Sequence, residues 1–214
     1  EGTVNVLEAA RRCAVERVVF ASSAAAYGIR GGDLREETPV GPEISIYGVT
    51  KMLGERLGAQ YSDQHGFGFI ALRYGLTFGP GTITSPGMAK VMNDIGSTAD
   101  GRDVTIQEAD GGLRRQVTYV RDSAAGTVLA LTHARPSHRL YNVAGPDENY
   151  VSLQEYHDTL RQIVPETGTV TFAGKGRESG PLDTTRIRQD LGFVPKYSVA
   201  DAIRAKIDDT RLYT

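Results

Sequence analysis

Short apolar runs rich in β-branched and aromatic residues alternate with segments whose apolar positions recur every three or four residues. Val4, Leu7 and Ala10 fall on one stripe and predict a helix over residues 3–14, and residues 17–22 read as a buried strand. A Gly-rich, acidic loop from Gly28 to Pro42 leads to a second helix over about residues 44–65, whose apolar stripe is Ile46, Val49, Leu53 and Leu57. Gly54 and Gly58 lie inside that helix, where glycine costs about 1 kcal/mol relative to alanine, so close packing is expected there. Residues 69–74 form the next strand. This alternation belongs to an α/β fold with a parallel sheet.

Gly79-Pro80-Gly81 breaks the pattern and opens a second, mostly helical region at the carboxyl end of the sheet, where open α/β folds bind ligands. A helix is expected over 88–96, and extended segments over 103–107 and 116–120 flank a turn at Asp110-Gly111-Gly112. Asp122 is expected to cap a helix running to His133, and residues 140–143 to form the last strand. Ser152 with Glu155 forms a capping box at the start of a helix over 152–164, and Ser198 with Asp201 starts a final helix in the same way. These segments divide the chain into an α/β part, residues 1–80 with the 140–143 strand and 152–164 helix, and a second part, residues 81–139 and 165–214.

Composition narrows the function classes. Apolar residues make up 40%, charged residues 23%, and the net charge is -2. No apolar run approaches the ~20 residues that a membrane span needs, and the arginines are scattered in pairs rather than gathered on the basic face that nucleic acid requires. The single cysteine, Cys13, cannot form an internal disulfide, which favours a reducing, cytoplasmic setting. It reads as a small packing residue beside Ala10 and Ala14. His65, His133, His138 and His157 lack metal-ligand spacing. Neither Gly111-Gly112 nor Gly174-Lys175-Gly176 has the spacing of a triphosphate cradle.

The candidate chemistry lies in Ser45-Ile46-Tyr47-Gly48-Val49-Thr50-Lys51 and in Ser23, which closes the first strand. A phenol moves a proton near neutral pH only when a neighbouring cation stabilises its anion. Lys51 stands one helical turn from Tyr47, on the same face. A serine hydroxyl could share the proton with a substrate oxygen, and together the three suit removal of a proton from an alcohol as hydride leaves its carbon.

Phe20-Ala21-Ser22-Ser23-Ala24-Ala25-Ala26-Tyr27-Gly28, Tyr47-Gly48-Val49-Thr50-Lys51 and Leu72-Arg73-Tyr74-Gly75-Leu76-Thr77-Phe78-Gly79-Pro80, in that order, resemble the extended short-chain dehydrogenase/reductases of the NAD-dependent epimerase/dehydratase branch. The resemblance covers nearly the whole chain. It implies a Rossmann-type doubly wound parallel sheet with a smaller, mostly α substrate-binding region, NAD as cofactor with NADP possible, and a sugar-type substrate. It also implies a homodimer through helices 3–14 and 44–65. By the same resemblance Tyr47 is the base, Lys51 holds the nicotinamide ribose, Tyr74 and Ala21 lie beside the cofactor, and Ser23, Ala24 and Arg115 beside the substrate.

Members of that branch open with a strand, a Gly-x-x-Gly-x-x-Gly turn and a pyrophosphate-binding helix. Residues 2–10 instead resemble the helix after the fourth strand, so the chain is expected to begin roughly 80 to 100 residues into the pattern, about three βα units. The active-site asparagine of the branch would also precede Glu1. The 214 residues alone are therefore expected to be inactive, and the open edge of the first strand is expected to invite association.

Departures from the branch bear on substrate. Ala24 and Ala25 stand where the 4,6-dehydratases carry acidic residues, which argues against dehydration. Leu76 stands where sugar-nucleotide epimerases carry an asparagine, and a leucine cannot donate to a phosphate. Arg115, in Arg114-Arg115-Gln116-Val117-Thr118-Tyr119-Val120-Arg121-Asp122, matches a phosphate-binding arginine of the epimerases; Arg177 is weighed as a second anion contact and set aside. NAD-dependent oxidation of a secondary alcohol of a sugar or sugar nucleotide, ending in epimerisation or in net dehydrogenation, is the leading expectation, followed closely by dehydrogenation of a sugar or uronic acid without nucleotide, then by a dinucleotide-binding regulator without turnover.

Overall fold

A computed structural model describes residues 1–81, 87–177 and 179–211. In chain order the elements are α1 (Gly2–Arg12), β1 (Arg17–Ser23), α2 (Ile46–His65), β2 (Gly68–Tyr74), β3 (Leu76–Phe78), α3 (Met88–Ser97), β4 (Val104–Ile106) and β5 (Arg114–Tyr119), followed by α4 (Val120–Thr132), β6 (Leu140–Val143), β7 (Tyr150–Ser152), α5 (Leu153–Ile163), β8 (Val170–Phe172), α6 (Thr185–Leu191) and α7 (Val199–Arg211). They fall into two compact units: Glu1–Gly75, Ser123–Val143 and Leu182–Val194 form one, and Leu76–Asp122, Ala144–Pro181 and Pro195–Thr214 the other.

The first unit is built on a parallel sheet of order β1-β2-β6. Its register pairs Ser23 with Tyr74 and Tyr74 with Val143, so the three strands end level at their carboxyl termini. The central strand β2 is buried on both faces, as a parallel sheet covered by helices requires. Ile70 and Leu72 pack with Tyr141, Val143, Ile187, Leu191 and Phe193, while Phe69 and Ala71 pack with Leu7 and Phe67. β1 is an edge strand of this sheet among the described residues.

The second unit holds a sheet of order β3-β5-β7 and a two-stranded sheet β4-β8. β3 runs parallel to β5, and β7 antiparallel to it. Its core gathers Phe78, Met92, Ile95, Ile106, Val117, Leu153, Tyr156, Leu160 and Ile203. The expected capping box is complete: Ser152 Oγ accepts from Glu155 N, and the Glu155 carboxylate accepts from Ser152 N.

Four expectations are corrected. The face of α2 that packs inward is Gly48, Gly54, Glu55, Gly58 and Ser62, whereas Ile46 is 86% exposed, Leu53 50% and Leu57 38%. Close approach of the sheet selects for small residues, so the apolar stripe faces out. Cys13 is exposed, at the end of α1. Asp122 lies inside the first turn of α4, and its buried carboxylate accepts from Lys196 N at 3.0 Å and Tyr197 N at 3.2 Å, so it anchors the approach to α7 rather than capping a helix. Finally, α5 belongs to the second unit, while residues 123–139 belong to the first, contrary to the expected division.

Candidate active site

Ser45 starts α2, its Oγ accepting from Gly48 N at 3.1 Å. At Gly48 a Cβ would lie 2.8 Å from Ile44 Cγ1, 3.0 Å from the Ala25 carbonyl carbon and closer still to its oxygen. Only glycine lets the helix start come so near the turn after Ser23. One helical turn further, Lys51 Nζ donates to the Ala21 carbonyl at 2.7 Å. The same ammonium lies 5.5 Å from the centre of the Tyr47 ring and 5.4 Å from that of Phe20. Tyr47 itself is 55% exposed, so its phenol is open to a ligand. On β1, half-buried Ser23 accepts from Ala25 N at 3.1 Å and thereby starts a short 3₁₀ turn, Ala24–Tyr27.

The structure thus brings Tyr47, Lys51, Ala21 and the Ser23–Ala25 turn together in the first unit, at the carboxyl end of β1. Tyr74 ends β2 beside Ser23, with its phenol in a 2.6 Å hydrogen bond to Thr127 Oγ1. Burial pushes that phenol above its ordinary value, and the Thr127 bond only partly opposes it, so Tyr74 stays protonated. Arg115 lies on β5 in the second unit, donating to the Arg114 carbonyl at 2.7 Å and to the Arg177 carbonyl at 3.0 Å. Leu76, on β3, packs partly buried against the core of that unit.

Sequence reasoning missed a buried network behind Tyr47 and Lys51. Glu55 accepts from Arg73 Nε at 2.8 Å and Nη2 at 2.6 Å, and also from Ser22 Oγ. The Arg73 guanidinium lies 4.3 Å from the centre of the Tyr27 ring. Burial lowers the proton affinity of Arg73, but the Glu55 carboxylate outweighs this and holds it above its ordinary value. Tyr27 in turn donates to Asn142 Oδ1 at 2.7 Å. The available signal was spacing: Glu55 continues the step of four from Tyr47 through Lys51.

A family model described as the NAD dependent epimerase/dehydratase family matches residues 1–144. The chain belongs to this family. Among curated relatives, an uncharacterized UDP-glucose epimerase of Bacillus subtilis is 29% identical over 205 residues, covering 94% of this chain and 63% of its own length. A UDP-glucose 4-epimerase of Azospirillum brasilense is 29% identical over 94% of this chain and 62% of its own. This family member therefore spans somewhat under two thirds of the length of these two curated relatives. Its fold follows theirs: UDP-glucuronic acid 4-epimerase from Bacillus cereus, solved with NAD, superposes with a TM-score of 0.82 at 26% identity over 99% of this chain and 67% of that one. UDP-glucose 4-epimerase from Thermus thermophilus, also with NAD, gives 0.83 at 29% identity, over 98% and 68%. Among the described residues no helix is long and apolar enough to cross a membrane.

Proposed function

We propose that the full-length protein is an NAD-dependent enzyme that oxidises a secondary alcohol of a sugar nucleotide and returns the hydride to the opposite face, an epimerase. The observation that carries this is the placement of Tyr47 and Lys51 one helical turn apart on α2, with Lys51 tied to Ala21, two residues before Ser23. Tyr47 takes the hydroxyl proton, Lys51 stabilises the phenolate by its charge, and Ser23 orients the substrate oxygen. NAD, when bound, supplies the hydride acceptor. The donors present fit its nicotinamide end: Lys51 spends one N–H on Ala21 among the described residues, which leaves two for ribose hydroxyls.

Tyr74, with its hydroxyl engaged by Thr127, serves the packing of the sheet's carboxyl edge and offers only its ring to the nicotinamide. Ala24 borders the substrate without acidic chemistry, which disfavours dehydration. Arg115 is the proposed phosphate contact, a role that suits a planar guanidinium. The outward apolar positions Ile46, Leu53 and Leu57 of α2 and Val4 and Val6 of α1 support a homodimer through these helices.

Leu76 favours a second reading. A leucine packed partly buried against the second unit's core has a side chain that offers nothing to a diphosphate, which suits net oxidation of a sugar or uronic acid without nucleotide. Incubation of the full-length protein with NAD and a panel of UDP-sugars, free sugars and uronic acids separates the two. Isomer interconversion without NADH accumulation is the expected result; stoichiometric NADH with a free sugar would replace the first reading by the second.

A further inference from the structure

We propose that Glu55 and Arg73 are positioning residues that set the rotation and height of α2 on the sheet, and so aim Tyr47 and Lys51. This rests on the reading of Tyr47 and Lys51 given above. Four residues advance a helix by roughly 40° beyond a full turn. Tyr47, Lys51 and Glu55 therefore spiral inward, from 55% exposed through half-buried to 9% exposed. Consecutive residues of β1 receive the last two: the Ala21 carbonyl accepts from Lys51, and Ser22 Oγ donates to Glu55. Ser23 follows directly.

The rest of the buried face explains why such bonds are needed. Gly48, Gly54, Gly58 and Ser62 offer almost no side-chain ridge, and interlocking ridges are what ordinarily fix how a helix sits on its neighbour. The Phe20 and Phe69 rings fill the space at Gly54 and Gly58, but such contacts carry none of the directionality of a hydrogen bond. Glu55 supplies directional bonds in place of ridges, and Arg73 makes the lock rigid. Its fork meets both carboxylate oxygens, it lies 4.3 Å from the centre of the Tyr27 ring in the turn after Ser23, and its Nη1 lies 3.4 Å from the Glu36 carbonyl in the loop leading to α2. One side chain thus grips the turn that follows Ser23, the connecting loop and the helix that carries Tyr47. A buried ion pair is weak evidence for net stability, so orientation accounts better for a charge on this face.

The test is amide hydrogen exchange of residues 46–53, together with the acylation rate of Lys51 by an amine-reactive ester, both resolved by mass spectrometry. The proteins are wild type, Glu55→Gln, Ser22→Ala, Ser22→Thr and Ile187→Val. The last lies in the core on the other face of the sheet and controls for general loss of stability. Compared at matched stability, Glu55→Gln and Ser22→Ala should each speed local exchange about tenfold and raise Lys51 acylation several-fold. Ser22→Thr should restore both, and Ile187→Val should change neither. If Glu55→Gln and Ser22→Ala track Ile187→Val, the network is only structural and the proposal falls. Should Glu55→Gln fail to fold, the two Ser22 variants carry the test. None of these readouts needs turnover, so a Tyr47→Phe protein that kept full activity would remove the catalytic reading and leave this outcome separately legible.

Discussion

Gly58→Ala should destabilise the protein although alanine is the better helix former. In the middle of α2 the exchange gains about 1 kcal/mol in helix propensity. Against this, the new Cβ would lie 2.7 Å from Phe69 Cδ2 and closer still to Cε2 and Cζ, where carbon atoms prefer about 3.5–4.0 Å. Phe69 cannot yield cheaply. It is buried in β2, between Leu7, Phe67 and Ala71, and stacks on Phe20 with ring centres 6.2 Å apart. Relieving the clash means moving the ring or the helix by an ångström or more, an overpacking cost of about 1–3 kcal/mol. The upper half of that range applies to so direct an overlap, which leaves a net loss of about 1–2 kcal/mol, or a fall of roughly 0.5–1 M in urea midpoint at ordinary slopes. Gly96→Ala in α3 is the matched control: its Cβ meets nothing within 4 Å, and it should gain up to about 1 kcal/mol. Urea unfolding followed by circular dichroism, with the slope checked for constancy, measures both. A midpoint that rises for Gly58→Ala would refute the claim that the small residues of α2 are there for close approach.

Asn142→Ala strands the Tyr27 hydroxyl and the Leu34 and Asp183 carbonyls, all now bonded to one amide; at roughly 1 kcal/mol per group the loss is about 3 kcal/mol, and a melting temperature within two degrees of wild type would contradict it. Asp190 gives a pH prediction: burial pushes its carboxyl up, but hydrogen bonds from Tyr141, Ser137 and His138 more than offset this and hold it well below the carboxylate range. The unfolded chain, with its aspartates near 3.9, then binds more protons than the folded one, so this stabilisation is complete above about pH 5 and fades as pH falls towards the folded value. Melting temperature should accordingly drop less between pH 5 and 3 in Asp190→Asn than in wild type, and equal slopes would exclude the effect. For the proposed dimer, Leu53→Glu alters a half-exposed side chain and should shift sedimentation from dimer to monomer with unchanged far-ultraviolet circular dichroism; a persistent dimer would remove α2 as the interface.

The sequence announced the long elements because each carries enough residues to show its period. β1, α2, β2, α5 and β6 appear where patterning and caps place them. Of the three-residue strands, β4 falls within the extended segment expected over 103–107, whereas β3, β7 and β8 show no alternation of their own, and α6 offers only Ile187 and Leu191 as a stripe. At the candidate site, Tyr47, Lys51 and Ser23 were singled out because the chemistry proposed for them restricts which residue types serve. Glu55 and Arg73 were not: each is an ordinary charged residue until the backbone folds them into one buried bond. The face of α2 was misread for a related reason. Apolar periodicity shows which residues avoid water, and in Ile46, Leu53 and Leu57 it marks a surface proposed to meet a second copy rather than the sheet.

The central claim is that the Tyr47 phenol carries the proton. It is tested most directly by the kcat of Tyr47→Phe in the full-length protein, with NAD and a UDP-sugar at saturation. General acid–base help of this kind is worth about 10²–10⁴ in rate, so kcat should fall at least a hundredfold, while the melting temperature stays unchanged because the side chain is 55% exposed. A kcat within about twofold of wild type would contradict the account and move the proton chemistry to another group.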